Sequence, residues 1–229
     1  MRFFIELSYV GTNYHGWQVQ PNANTVQAEI NKALSIILNT KIEVVGAGRT
    51  DAGVHAKQMF AHFDCDEEFD FHTTIIKLNS FLPNDIAVHS FFNVKDDASS
   101  RFDAMSRIYN YNIVQKKSPF KKTAYFVHKP LDIIQMNLAC QSLLGRQDFT
   151  SFSKANTQTF TNNCNVMSAS CQWYDGELIF TIKADRFLRN MVRAIVGTLL
   201  DVGIGKIKAE QVRKIIAQND RCMAGTSVP

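Results

Sequence analysis

The stretch Ser170-Cys171-Gln172-Trp173-Tyr174-Asp175-Gly176-Glu177-Leu178-Ile179-Phe180 reads as two strands joined by a two-residue turn. Asp-Gly tolerates the positive φ angles of a type I′ turn, and no other dipeptide in the chain signals a hairpin as strongly. Upstream lie a strand at Arg107–Val114 and a helix carrying Ile133, Met136, Cys140, Leu143 and Leu144, ending at Gly145. Downstream comes a long helix with Leu188, Val192, Ile195, Leu199 and Val202 on one face, then a shorter one around Glu210–Ala217. This half therefore runs β-α-β-β-α, and it closes on Gly225-Thr226-Ser227-Val228-Pro229 with no visible last strand.

The first half gives the same order in full. A strand over residues 3–10 precedes a helix opened by Asn24-Thr25-Val26-Gln27, a cap-like residue with Gln three positions on. Val26, Ile30, Ala33, Leu34, Ile37 and Leu38 then recur at helical spacing. Strand-like runs follow at Ile42–Val45 and Gln58–Phe63, then a short helix near Thr73–Leu82 stopped by Pro83, then the strand Ile86–Val94. The fold class expected is α+β. Two β-α-β-β-α-β halves, 1–104 and 105–229, would join their mainly antiparallel sheets into one continuous sheet with helices on one face and a cleft between the halves.

Composition excludes several classes. The 229 residues are 45% hydrophobic and 20% charged, with eleven Gly and five Pro, an ordinary globular balance. The start, Met1 to Gly11, carries Glu6 and alternates like a strand, whereas an export signal needs ~7–15 uninterrupted apolar residues. The most apolar run, Ala194 to Leu200, falls short of the ~18–20 residues of a membrane span. Cys65, Cys140, Cys164, Cys171 and Cys222 are odd in number and contain no C-x-x-C, against a disulfide framework and a structural zinc site. A reducing cytoplasm suits them. The net charge of +4 hides a division: residues 1–100 hold 7 Lys+Arg against 12 Asp+Glu, and residues 101–229 hold 18 against 9. A basic half favours a polyanionic partner.

Chemistry points to the loop Gly46-Ala47-Gly48-Arg49-Thr50-Asp51-Ala52-Gly53-Val54-His55, too long and glycine-rich for a hairpin turn. Asp51 is its one carboxylate, two residues from Arg49. A catalytic Asp and a turn Asp bonding its own backbone both fit the pattern. The Gly-Lys-Ser/Thr ending of a phosphate loop is absent. Arg186, Arg189 and Arg193 at i, i+3 and i+7 share one face of the expected long helix, as a substrate surface or a solvated one. Lys116-Lys117 and Lys121-Lys122 bracket Ser118-Pro119-Phe120 after the strand bearing Tyr109 and Tyr111. Cations interleaved with rings suit RNA, although one sheet face holds both tyrosines and core packing claims at least one of them. The six histidines show no metal-ligand grouping, so a metal site is not expected.

On these residues the sequence resembles the tRNA pseudouridine synthase A family. The likeness covers nearly the whole chain: Tyr9-Val10-Gly11-Thr12 with His15-Gly16-Trp17-Gln18, Asn24-Thr25-Val26-Gln27, Gly48 to Ala56, Ala98 to Ala104, Tyr109-Asn110-Tyr111, Asp148-Phe149 with Phe152, and Phe187 to Arg193 with Ile195-Val196-Gly197. It implies the pseudouridine synthase fold with its ferredoxin-like halves. It also implies conversion of uridine to pseudouridine at positions 38, 39 and 40 of the tRNA anticodon stem-loop, by a homodimer, without cofactor or metal. Asp51 matches the catalytic aspartate, Arg49 the arginine that handles the flipped base, Tyr109 the tyrosine that stacks on uracil, and Arg193 the arginine paired with the aspartate. Arg189, Lys116 and Lys117 join Arg49 and Tyr109 as expected substrate-binding residues. Family members continue past a segment like Gly225 to Pro229 into a final strand that this sequence lacks. The rival from another class is a non-catalytic RNA-binding module of ferredoxin-like fold, which gives Asp51 nothing to do. A metal-dependent nuclease would need clustered carboxylates that the sequence does not show.

Overall fold

The structure is a computed structural model and describes residues 1–154 and 159–229. Its axis in the first half is β1 (Arg2–Tyr9), where burial alternates strictly: Phe3, Ile5, Leu7 and Tyr9 are buried while the residues between them are not. Period-two burial is the mark of a strand with one face on a core. β1 pairs antiparallel with β3 (Ala56–Asp64) on one side and β4 (Ile86–Val94) on the other, and β2 (Val45–Gly46) lies outside β3. Helix α1 (Val26–Ile37) buries Val26, Ile30, Ala33 and Leu34 in the same core. Helix α2 (Phe71–Phe81) starts where the Asp70 carboxylate accepts the Thr73 N–H at 2.7 Å, and it stops one residue before Leu82, which Pro83 holds extended.

Two details depart from the sequence reading. The helix cap of α1 is Thr25, whose hydroxyl accepts the Ala28 N–H at 3.4 Å, and not Asn24. The strand expected at Ile42–Val45 shrinks to Val45–Gly46 because helix side chains take over its hydrogen bonds. Ser35 Oγ accepts the Ile42 N–H and Asn31 Oδ1 accepts the Val44 N–H, both at 2.9 Å.

In the second half, β5 (Arg107–Val114), β8 (Asn163–Tyr174) and β9 (Glu177–Ala184) form an antiparallel set in the order β5-β9-β8. Asp175 and Gly176 take φ of 45° and 72°, the double left-handed turn that the sequence demanded. Beside β5, where the first half has β4 next to β1, stands β6 (Tyr125–Phe126), two residues paired in parallel. Helix α3 (Ile133–Gln141) ends three residues earlier than expected. Gln147 donates to the carbonyls of Ser142 and Leu144, and Gly145, at φ 88°, turns the chain into β7 (Gly145–Asp148) on the edge of β8. Helices α4 (Met191–Gly203) and α5 (Gln211–Gln218) follow.

The helix expected from residue 186 begins at Met191, so Arg186 and Arg189 do not share a helical face with Arg193. Two features stop helix formation. The Asp185 carboxylate accepts the N–H groups of Arg186 and Asn165, which fixes an irregular exit from β9. Asn190, immediately before α4, is left-handed at φ 70°.

The chain divides into two compact units, Met1–Ala104 and Met105–Pro229, each with its own buried cluster. The strands form two sheets, ordered β2-β3-β1-β4 and β6-β5-β9-β8-β7, where the sequence suggested one continuous sheet. Each ladder closes on strands of its own unit, with β1 and β9 paired on both sides. All five cysteines are free, with Cys222 the exposed one.

Candidate active site

The loop between β2 and β3 is held from beneath by the segment after β1. The N–H of Trp17 donates to the carbonyl of Thr50 at 3.3 Å, and that of Gly53 to the carbonyl of Tyr14 at 3.3 Å. The Gly11 N–H donates to His55 Nδ1, and the Tyr9 hydroxyl meets Thr50 Oγ1, both at 2.9 Å. This packing is possible only with glycine at two positions. A Cβ on Gly11 would stand 2.0 Å from the Val54 carbonyl oxygen, and one on Gly16, whose φ is +90°, would stand 2.3 Å from that of Thr50. The supporting segment is itself fixed: the buried Tyr14 hydroxyl donates to Asp85 Oδ1 at 2.5 Å, and the Val10 N–H to the Asp85 carbonyl at 2.8 Å. Burial and that carboxylate hold the Tyr14 phenol well above its ordinary pKa, so it stays a donor.

Gln27 is a strut. Its side chain accepts the Val19 N–H at 2.8 Å and donates to the Val44 carbonyl at 2.7 Å, tying the start of α1 to the entry of β2. The motif Asn24-Thr25-Val26-Gln27 thus serves the loop as well as the helix. On this support Asp51 is half-buried and Arg49 exposed, and the Asp51 carbonyl closes a turn by accepting the Val54 N–H at 3.3 Å.

The remaining candidates belong to the second unit. Tyr109, on β5, is half-buried with its ring edge against Phe187, centroids 4.9 Å apart. Tyr111, two residues on, packs on the same core, and its hydroxyl donates to the Pro229 carbonyl at 3.0 Å. Burial pushes its phenol up to about 12. Arg193, on the first turn of α4, donates from Nε to the Val228 carbonyl at 2.6 Å, while its own carbonyl accepts the Val228 N–H. Tyr111 and Arg193 therefore converge on the segment 228–229, a grouping the sequence reading did not anticipate. Arg189 is exposed in the turn before α4. Lys116 and Lys117 are exposed past the end of β5, whereas Lys121 is drawn to Asp175 and Glu177 at the hairpin.

The terminal segment is seated along α4. Gly225 donates its N–H to Thr198 Oγ1 at 2.8 Å, Asn190 Nδ2 donates to Ser227 Oγ at 2.7 Å, and a Cβ on Gly197 would lie 1.9 Å from the Thr226 carbonyl oxygen. Asp148 and Phe149 are structural. The carboxylate accepts the N–H and hydroxyl of Thr150, and Phe149 with Phe152 fills the core. Among the described residues no three His, Cys, Asp or Glu side chains form a group able to hold a metal ion, and no helix is long and apolar enough to cross a membrane.

The sequence that builds the loop and its support has counterparts among known proteins. The family model described as tRNA pseudouridine synthase matches residues 7–103 and 139–229. The tRNA pseudouridine synthase A of Bacteroides thetaiotaomicron is 53% identical over 232 residues, covering 100% of this chain and 86% of that protein. That of Bacteroides fragilis is 53% identical over 100% of this chain and 92% of its own length, and that of Halalkalibacterium halodurans 40% identical over 100% and 88%. The matched residues run through the Asp51 loop, its glycine-lined support and the whole of α4, and with that the chain belongs to the tRNA pseudouridine synthase family.

Proposed function

We propose that this protein isomerises uridine to pseudouridine in tRNA, at positions 38, 39 and 40 of the anticodon stem-loop, without cofactor, as a cytoplasmic homodimer. The bond from ribose C1′ to uracil N1 breaks, the base turns, and C1′ rejoins through C5, which gives up its proton as N1 gains one. A base in a stem must first leave its stack, at a cost of a few kcal/mol. Stacking on Tyr109 returns ~1–3 kcal/mol, and phosphate contacts from Arg189, Lys116 and Lys117 add to it.

Asp51 is the catalytic carboxylate, acting as nucleophile or base, and either role needs it ionised. Arg193 is the arginine paired with that carboxylate, and Arg49 handles the flipped base. What supports this reading above all is the construction under Asp51. Two glycines admit backbone where no side chain would fit, and several long-range hydrogen bonds fix a loop whose one carboxylate is only half-buried. Rigid presentation of one reactive group is what preorganised catalysis requires.

The test is tritium release from tRNA transcripts labelled at uridine C5, with and without a chelator. Release that survives chelation is expected. Tight tRNA binding without release would reduce the protein to an RNA-binding module, and strand cutting abolished by chelator would make it a nuclease. Sedimentation should give about twice the 25.9 kDa chain mass.

A further inference from the structure

We propose that Ser227 is a positioning residue for Arg193, anchoring the segment 225–229 along α4 so that Val228 holds the Arg193 guanidinium in one place; this deepens the reading above, in which Arg193 pairs with the catalytic carboxylate, and rests on it. Arg193 lies in the first turn of α4, at the positive end of the helix dipole, where a cation is disfavoured. A carbonyl from outside the helix meets it there. Val228 closes on this residue twice: its carbonyl accepts Arg193 Nε at 2.6 Å, and its N–H donates to the Arg193 carbonyl at 3.3 Å. With Nε engaged, the guanidinium can grip a carboxylate bidentately only through its two Nη groups. The placement of Val228 therefore decides the direction of that grip.

What places Val228 is the hydroxyl beside it. Ser227 Oγ accepts from Asn190 Nδ2 and from Arg221 Nη2, both at 2.7 Å, which fills the two lone pairs of a hydroxyl oxygen. Asn190 occupies the cap position of α4, yet its side chain makes no cap hydrogen bond and turns to Ser227 instead. It stands three residues before Arg193, so about one turn of helix carries both the anchor of Ser227 and the side chain that Val228 holds. Arg221 braces the same segment from the other side, donating from Nη1 to the Gly225 carbonyl at 3.1 Å. Gly225 is seated on Thr198 and Pro229 on the Tyr111 hydroxyl, and between these points the Val228 side chain is buried in the core. Apolar burial keeps the segment down without setting its orientation, whereas the directional bonds to Ser227 fix the peptide that follows.

The experiment compares wild type with Ser227→Ala, Ser227→Thr and Asn190→Gly by tRNA affinity and by single-turnover tritium release at saturating enzyme. A third readout is the protected Arg193 Nε–H signal in proton–nitrogen NMR spectra, identified by its loss in Arg193→Lys. For Ser227→Ala we expect that protection to disappear and the rate to fall roughly ten- to a hundredfold with affinity within about threefold of wild type, because misplacing a group at the reacting centre costs rate rather than binding. Ser227→Thr restores the hydroxyl and should return both the signal and most of the rate. Asn190→Gly removes one of the two donors at a left-handed position that glycine adopts freely, should move signal and rate in the same direction, and carries the test if the alanine protein melts early. An unchanged Nε–H signal or an unchanged rate in Ser227→Ala would overturn the assignment. So would a loss that falls on affinity instead of rate, or a threonine variant no better than alanine. A wild type without tritium release, or an Arg193→Lys as fast as wild type, refutes the reading on which the role of Ser227 rests; a slow Arg193→Lys beside an indifferent Ser227→Ala refutes only Ser227.

Discussion

At the scale of single residues, the carboxylate of Asp51 and the imidazole of His62 make opposite demands on their surroundings. Asp51→Asn and Asp51→Ala are expected to retain tRNA binding and to lose product formation by roughly four or more orders of magnitude, as loss of an essential group can do. Tritium release near the wild-type rate in either variant would exclude Asp51 as nucleophile and as base. His62 is 7% exposed, and its Nδ1 lies 2.9 Å from Ser100 Oγ and 3.2 Å from the Ser100 N–H. Burial, and then the Arg2 guanidinium, hold its pKa below the ordinary histidine value. The unfolded chain therefore takes up a proton near pH 6.5 that the folded chain refuses, and stability falls as pH drops through that value toward the folded pKa. Asn at this position keeps an acceptor near Nδ1 and does not titrate. Between pH 7.5 and 5.5, denaturant unfolding should show wild type losing stability relative to His62→Asn, by at most ~1.4 kcal/mol per pH unit. Parallel pH dependences would show that His62 is not the titrating group.

At the scale of elements, what the sequence discloses depends on the range of the forces involved. The Asp175-Gly176 hairpin and β1 were legible because turn chemistry and period-two burial are local. The shortening of β2 was hidden, since Ser35 and Asn31 reach Ile42 and Val44 across a tertiary contact. The start of α4 was hidden for a related reason: the spacing of Leu188 and Val192 suits a helix, yet the Asp185 side chain and the left-handed Asn190 decide otherwise. The site divides in the same way. Three glycines around one carboxylate mark the loop in the sequence, whereas its support by Tyr14, Asp85 and Gly11 spans tens of residues and follows from no local pattern.

That support is testable. Gly16→Ala places a Cβ against the Thr50 carbonyl at a φ that alanine adopts only with strain, so the Asp51 loop must shift. A displacement of about 1 Å costs roughly 100-fold in rate, and kcat from tritium release should fall by about that factor while the protein remains folded. Wild-type kcat would show that the loop tolerates the shift. Gly197→Ala acts on α4, forcing the Thr226 carbonyl away and with it the segment that orients Arg193. Overpacking of this kind costs ~1–3 kcal/mol, a fall in Tm of roughly 2–12 °C for a chain of this size. An unchanged melting curve would mean that the terminal segment does not press on the helix.

At the scale of the whole molecule, charge is the property that the fold redistributes least. Beyond residue 100 the chain carries an excess of nine positive charges, and before it an excess of five negative ones. Part of the basic excess is neutralised internally. Lys121 is held by Asp175 and Glu177, and Lys206 pairs with Asp201. Lys116 and Lys117 are exposed, and no described ion pair engages either, so their charge is available to phosphates. Reversing both, Lys116→Glu with Lys117→Glu, should weaken tRNA binding at least tenfold at low salt and flatten the log–log salt slope by about two. Lys41→Glu, an equally exposed reversal in the acidic unit at a residue paired with Glu43, should leave affinity within about twofold. Isotherms across salt concentrations distinguish a local interface from a diffuse field: if Lys41→Glu weakens binding as much as reversal at 116 and 117, net charge alone recruits the tRNA. If neither does, both lysines lie outside its path.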